Sequence, residues 1–403
     1  MSAPSRADAR ALDETDPLAA LRERFVLADG VLYLDGNSLG PPLKASLDRL
    51  EKTARNEWGG GLIRSWNDAN WIDLPKTCGA KIARIIGAPE DDVIVADSVT
   101  ANIFKLAAAA WRAHGGALAC EAGEFPTDEY VLEGLAELVD APLKIVEAGD
   151  DPFADGARVL VKSAVHYKTA KIANIAKWER AAAEKDALII WDLSHAAGLI
   201  DLRLASQGAR CAVGCGYKFL NGGPGAPSFI YVARSLANEL RQPLSGWMGH
   251  AAPFDFAAGY RPAPGVARFA CGTPPILSLS ALDAALEIFD GLDLGAVEEK
   301  ARALGDFFLS CTQQLGFASA SPGVGHPRGG HVSLVAEHGY AIMQALIARG
   351  VIGDFRAPDL MRFGFSPLYL RFQDIWDAAD ALRAIVATED WRKPEFSVRQ
   401  AVT

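Results

Sequence analysis

Residues 213–227 read VGCGYKFLNGGPGAP. One lysine, Lys218, follows Tyr217 and lies among Gly214, Gly216, Gly222, Gly223 and Gly225. A solvated lysine has no need of such neighbours, whereas glycines at this density permit tight turns and close approach of backbone to a ligand. Upstream, residues 188–198 read LIIWDLSHAAG, an apolar strand that ends in Asp192, with His195 just beyond. An aspartate at the end of a strand followed by a lysine in a glycine-rich turn is what a pyridoxal phosphate site needs. The lysine forms a Schiff base with the aldehyde, and the aspartate keeps the pyridinium nitrogen protonated. The alternative reading of Asp192 is an ion pair with an arginine, since a buried carboxylate needs a cation. His195 is read equally as a satisfied core histidine or as a neighbour of the ring.

Outward from this pair, strands are expected over 116–120, 142–146, 158–162, 187–192 and 228–232, with helices near 128–139 and 171–185. Such alternation implies a mainly parallel sheet with crossover helices, whose ligands bind beyond the carboxyl ends of the strands. Three polar clusters fall there: EFPTD (124–128), HYKT (166–169) and DLSH (192–195). Before the sheet come a polar arm with a short helix over 17–25, a strand over 31–34, the turn DGNSLGPP and helices over 43–57 and 74–86. Beyond residue 290 a smaller α/β layer follows, with a final helix over 374–388, and the segment 391–403 reads as loose. The expected organisation is an N-terminal arm and turn (1–45), a large domain (46–290) and a small C-terminal domain (291–403).

Half of the 403 residues are hydrophobic and 22% are charged, the composition of a globular enzyme with a large core. The net charge of −10 has no basic stripe, which argues against a nucleic-acid partner. No stretch approaches the length of a membrane span, and the N-terminus lacks the apolar core of a signal peptide. The six cysteines (78, 120, 211, 215, 271 and 311) form no C-x-x-C pair and no zinc spacing. They read as buried small hydrophobes in a reducing cytoplasm, and no metal site is expected.

Other residues carry two readings each. Ser98 and Thr100 open a helix whose N-terminus suits an anion, and Thr100 is equally an N-cap. Phe125 is a ring stacker or core. Trp58, Trp66 and Trp71 flank three glycines and read as a mobile aromatic wall or as surface packing. Arg362, in LMRFGF, is a carboxylate clamp or an outward residue of a half-exposed strand. Arg328 and Arg371 read as solvated.

DGNSLGP, EWGGGLIRSW, DSVTANIFKL, EFPTD, HYKT, WDLSHAAG, GCGYKFLNGGPGAP, GWMGH and FACGTPP together resemble the kynureninase family, in order, over roughly residues 35–370. The resemblance implies an aspartate aminotransferase-like fold, fold type I of pyridoxal phosphate enzymes (class V aminotransferase group). It implies a large domain with a mainly parallel sheet flanked by helices, and a smaller α/β C-terminal domain. Lys218 would carry the cofactor and shuttle protons, with Asp192 on the pyridine nitrogen and His195 near the ring. Phe125 would stack on the ring, in a cofactor-binding segment completed by Pro126, Thr127 and Asp128. Val99 and Thr100 would begin the phosphate-binding helix, and Thr169 would lie near the phenolic oxygen. Tyr217 would reach the phosphate and assist acid–base steps at the substrate carbonyl. Trp247 and Thr273 would contact phosphate across a homodimer with shared active sites. Arg362 would bind the substrate α-carboxylate, and Asn37 and Ser38 would line the substrate pocket.

The implied reaction is hydrolysis of L-kynurenine to anthranilate and L-alanine, by Cβ–Cγ cleavage in tryptophan breakdown. Trp66 and the Gly272–Thr273 pair stand where the animal-type pattern has His and Ser-Asn. That combination is similar to bacterial members that prefer kynurenine to 3-hydroxykynurenine. A cysteine desulfurase or selenocysteine lyase would need a cysteine ahead of Arg362, and none occurs between Gly323 and Arg362. A non-catalytic pyridoxal phosphate-fold protein is disfavoured by the presence of Lys218, Asp192 and Arg362.

Overall fold

In the computed structural model, which describes residues 3–400, the strand Leu188–Asp192 has every residue buried. A parallel strand covered on both faces requires such an apolar run. Ala157–Ser163 pairs with it on one side and Cys211–Gly214 on the other, both parallel. The seven-stranded sheet runs Val93–Val95, Phe229–Val232, Cys211–Gly214, Leu188–Asp192, Ala157–Ser163, Ala117–Glu121, Leu143–Val146. Phe229–Val232 is antiparallel to both its neighbours, and the other pairings are parallel. On one face, Ile103 and Leu106 of the helix Val99–His114 and Leu132 and Leu135 of the helix Pro126–Val139 share a core with Leu118, Val161, Ile190 and Val213. Trp191, between Ile190 and Asp192, donates its indole N–H to Glu179 of the helix Ile175–Glu184 at 2.8 Å.

These elements belong to one compact unit, Ala45–Val165 with Ala173–Asp290. The second unit combines the segment ending at Lys44, the short run His166–Ile172 and the chain from Gly291 onward. Its sheet has four antiparallel strands in the order Asp354–Arg356, Leu360–Gly364, His331–Val335, Ala318–Ser319. Arg362 lies opposite Asp354 on one side and Ser333 on the other. Leu32–Tyr33 adds a parallel pairing with Val351–Ile352.

Several expectations are corrected. The N-terminal helix is Arg6–Glu14, and residues Ala19–Arg24 form only a 3₁₀ turn. Ser5 and Asp8 build a capping box: the Asp8 amide donates to the Ser5 hydroxyl at 3.2 Å and the Ser5 amide donates to the Asp8 carboxylate at 2.7 Å. The helix buries only Ala9, so its apolar pattern is faint in the sequence. The helix expected over 43–57 is Lys44–Lys52, continued by wide π-type turns over Thr53–Gly61. Arg328 is fully buried; it pairs with Asp306 at 2.7 Å and donates to the Pro322 carbonyl at 2.7 Å. The C-terminal segment is anchored as far as the described residues run. Tyr340 donates its hydroxyl to the Val398 carbonyl at 2.9 Å, and the Arg399 guanidinium lies 4.3 Å from the Tyr340 ring centre.

Asp13 accepts from the amides of Phe372 and Gln373 at 2.6 and 3.1 Å and so caps the helix Phe372–Thr388 from outside it. A capping carboxylate satisfies N–H groups that have no partner within the helix. Asp13→Ala is expected to destabilise the protein by about 1 kcal/mol, read as a lower urea midpoint at unchanged m-value.

Candidate active site

Asp192 leaves its strand with its side chain buried, and its Oδ1 accepts from the Ser194 amide at 2.8 Å. The turn that follows buries His195, whose Nε2 lies 3.4 Å from Lys218 Nζ. Lys218 is itself buried, beyond the end of Cys211–Gly214, the strand paired with that of Asp192. Its Nζ is 5.6 Å from the Phe125 ring centre and 5.9 Å from that of Tyr217. Phe125 sits at the N-cap of the helix Pro126–Val139 with 36% of its surface exposed. The sheet therefore gathers Asp192, His195, Tyr217, Lys218, Phe125 and Asp128 at the carboxyl ends of its strands.

The EFPTD loop is anchored by charge. Glu124 accepts from the Ser163 amide at 3.1 Å, and Ser163 lies opposite Asp192 in the sheet. Lys162 pairs with Glu121, lies 3.7 Å from Glu124 and sits 4.7 Å from the Trp178 ring centre. Asp128 is fully buried, and neither carboxylate oxygen has a hydrogen-bond partner among the described residues. Burial, then the charges of Asp192 and Glu124, push its pKa well above the ordinary value, while Lys218 pulls it down. Burial also raises the Tyr217 phenol, with Cys215 and Asp192 adding to the effect, so this hydroxyl keeps its proton.

At the start of the helix Val99–His114, the cap is Ser98, whose hydroxyl accepts from the Ala101 amide at 3.3 Å. The Thr100 hydroxyl is not the cap; Thr100 is exposed and Val99 half-buried in the first turn. Trp247 and the Gly272–Thr273 pair lie on adjacent segments. A Cβ on Gly246 would come within 2.2 Å of the Cys271 carbonyl, so only glycine permits this approach. The Met248 amide donates to that carbonyl at 3.2 Å. Trp247 packs against Phe254 and Phe256, with ring centres 5.5 and 6.2 Å apart. Trp66 is half-buried, edge-on to Trp71 at 6.0 Å, and Trp71 donates to Glu57 at 2.9 Å.

The second unit holds the remaining candidates. Arg362 is buried, which excludes an outward-facing role. Its Nε donates to Asp354 Oδ1 at 2.8 Å, its Nη2 to Asp354 Oδ2 and to Ser38 at 3.1 Å, and its Nη1 to the Tyr167 carbonyl at 2.8 Å. The Asn37 amide, turned with its oxygen toward the guanidinium, accepts from Nε and Nη2 at 3.1 and 3.2 Å. Asn37 reaches that position because residue 364 is glycine: a Cβ there would fall 1.7 Å from the Asn37 side-chain amide. Thr169 also belongs to this unit, in a turn where its amide donates to His166 Nδ1 at 3.2 Å.

Three charged residues went unnoticed as site candidates in the sequence: Asp354, Arg356 and Asp35. Arg356 pairs with Asp354 at 2.7 Å. Burial opposes ionisation of Asp354, yet Arg362, Arg356 and Ser38 hold its carboxyl below the ordinary value. Asp35, the first residue of DGNSLGP, is driven the other way, up to about 7, by burial and then by Asp354. The available signal was the strand pattern GDFR before LMRFG, which in a tight antiparallel hairpin sets Asp354 opposite Arg362.

The donor set of the first unit fits pyridoxal phosphate: a buried primary amine, a buried carboxylate at the strand end and an aromatic face. Together with the mainly parallel seven-stranded sheet, it defines a pyridoxal phosphate-dependent enzyme of fold type I. Solved structures agree on the fold. The cysteine desulfurase CsdA of Escherichia coli superposes with a TM-score of 0.77 at 18% identity, over 92% of this chain and 98% of its own. C-DES, a protein with glycine covalently linked to its pyridoxal phosphate, gives a TM-score of 0.78 at 15% identity, over 90% and 98%. At such identities the likeness concerns the fold alone.

Residues 297–382 match the family model for the kynureninase C-terminal domain. A kynureninase of Burkholderia mallei is 43% identical over 99% of this chain and 100% of its own length. A kynureninase of Pseudomonas fluorescens is 42% identical over the same shares. The chain belongs to the kynureninase family.

The buried, unpartnered Asp128 has a consequence for stability. A carboxyl raised in the folded state costs stability progressively as pH rises above the unfolded value. In protein stripped of cofactor, Asp128→Asn is expected to raise Tm at pH 7.5. The gain should shrink toward the acid side and vanish near pH 4, where both side chains are neutral.

Proposed function

We infer that the chain hydrolyses L-kynurenine to anthranilate and L-alanine, acting on a carbon–carbon bond of a ketonic substrate. The observation that carries the reading is the full-length relationship to kynureninases joined to the buried Lys218–Asp192 pair. Pyridoxal phosphate is the cofactor; when bound it supplies an electron sink conjugated to the substrate α-carbon. Asp192 would hold the ring nitrogen, Phe125 would face the ring, and Pro126, Thr127 and Asp128 follow along the same segment. Val99 and Thr100 offer the first turn of a sixteen-residue helix to the phosphate. His195, beside Lys218, would border the ring, and Thr169 is proposed as a further cofactor contact.

Lys218 binds the cofactor and moves the proton that leaves the substrate α-carbon. Its burial beside His195 keeps water from competing for that proton. Tyr217, held protonated, is the acid that serves the γ-carbonyl oxygen as water adds there. Arg362 binds the α-carboxylate, and Asn37 and Ser38, which share its guanidinium, line the same pocket. Binding by fixed donors converts the attack of water into an oriented step. Trp66 and Gly272 shape the end that receives the aryl ring, of kynurenine and also of 3-hydroxykynurenine.

The assembly we propose is a homodimer in which Trp247 and Thr273 reach the phosphate of the other subunit's site. The exposed aromatic cluster of Trp247, Phe254 and Phe256 supports it, because solvent-facing apolar patches of this kind mark interfaces. A cytoplasmic location is proposed from six free cysteines, five of them buried. No described helix is long and apolar enough to cross a membrane.

Adding L-kynurenine to the purified holoenzyme is expected to release fluorescent anthranilate; a cofactor-loaded protein that releases none refutes the substrate. Lys218→Ala should abolish both the product and the borohydride-reducible link to the cofactor. Arg362→Ala should lower kcat/KM by about 10²-fold or more, the range for breaking a buried charged pair, with the cofactor absorbance unchanged.

A further inference from the structure

The arginine cluster of the second unit holds more negative charge than one carboxylate-binding guanidinium needs. Asp354 already occupies the Nε–Nη2 edge of Arg362 and also pairs with Arg356. Asp35 brings a second carboxyl into the same cluster, and its Oδ1 is buried with no hydrogen-bond partner among the described residues. The groups that face Asp35 come from three directions. Tyr33 ends the strand just before it and Ser38 follows in the same turn, Asp354 and Arg356 lie on Asp354–Arg356, and Arg362 on Leu360–Gly364, with Tyr369 beyond it. Burial, first among the causes, raises both tyrosines, so they stay neutral. With both aspartates ionised, two cations meet two anions, and an incoming carboxylate finds no net charge to neutralise. Two like charges in one pocket do not ionise independently, and the one with fewer donors keeps its proton. Asp354 has Arg362, Arg356 and Ser38 as donors, whereas Asp35 has Ser38 alone and one orphaned oxygen.

We propose that Asp35 takes up one proton from solvent as the substrate α-carboxylate binds, leaving Arg362 and Arg356 one positive charge in excess of Asp354 for the carboxylate to neutralise. The proposal rests on the reading of Arg362 as the α-carboxylate anchor. It makes Asp35 a tuning residue for affinity that acts through Arg362 without touching the reacting atoms. The sign follows from linkage. In the free enzyme burial and then Asp354 push Asp35 up to about 7, and a bound anion raises that value further. Affinity is therefore full on the acid side and falls as pH climbs above about 7, until the pKa of the complex is passed.

The test uses holoenzyme and 4-(2-aminophenyl)-4-oxobutanoate, the substrate skeleton without the α-amine through which a substrate would engage the cofactor. In the wild type, Kd should rise by up to tenfold per pH unit above about pH 7. Calorimetry at pH 8 in two buffers of different ionisation enthalpy should show uptake approaching one proton per site. In Asp35→Asn, Kd should stay near the wild-type acid-side value across the range, and the proton uptake should vanish. A wild type that takes up no proton overturns the proposal without recourse to any variant, as does an Asp35→Asn protein that keeps both the uptake and the pH dependence. If Arg362→Ala binds the probe as tightly as the wild type, the anchor reading falls, and the coupling with it. If Arg362→Ala binds weakly while Asp35→Asn behaves as the wild type, the coupling alone falls.

Discussion

Asp192 ends a strand that is buried along its whole length, so its carboxylate enters the interior with the Ser194 amide as its recorded donor. A carboxylate in such a place is tolerated only beside compensating cations and donors. Lys218 is brought close by the next strand of the sheet, and its ammonium offsets part of the charge that Asp192, Asp128 and Glu124 bring together. The offset is incomplete, since Asp128 keeps two unpartnered oxygens among the described residues. The stability given up at the strand ends is the usual companion of a preorganised site.

The same logic operates in the second unit with the signs exchanged. Arg362 is buried in the middle of an antiparallel sheet, where an uncompensated guanidinium would be costly. The register of the sheet supplies Asp354 directly opposite, and the DGNSLGP turn supplies Asn37 and Ser38. With acceptors fixed on several sides the guanidinium has little rotational freedom. Its orientation is fixed by the fold itself. Asp35 is the member of the cluster left over once each cation has found a partner.

The relation to cysteine desulfurases illustrates how far a fold carries an argument. Superposition over nine-tenths of the chain accompanies an identity of 18%, and one scaffold hosts different chemistries. What separates this chain from that chemistry lies in its loops and site residues. Between Gly323 and Arg362 there is no cysteine to act as a sulfur acceptor.

Much of this was legible in the chain itself. The apolar run ending in Asp192, the glycines around Lys218 and the strand–helix alternation of residues 117–192 are local patterns. A fully buried parallel strand has to be continuously apolar, and a close-approach turn has to be rich in glycine. Hence the cofactor, the fold class and the strand positions followed within a residue or two. The helix Arg6–Glu14, the burial of Arg328 and the anchoring of the C-terminal segment did not follow, because each depends on a partner distant in sequence: Asp377 for Arg6, Asp306 for Arg328, Tyr340 for the tail. The roles of Asp35 and Asp354 were hidden for the same reason. A surface aspartate and a buried counter-ion are the same letter in a sequence. Only the pairing of strands brought 354 against 362 and the turn at 35 beside both, and with that proximity came the electrostatics that no local pattern records.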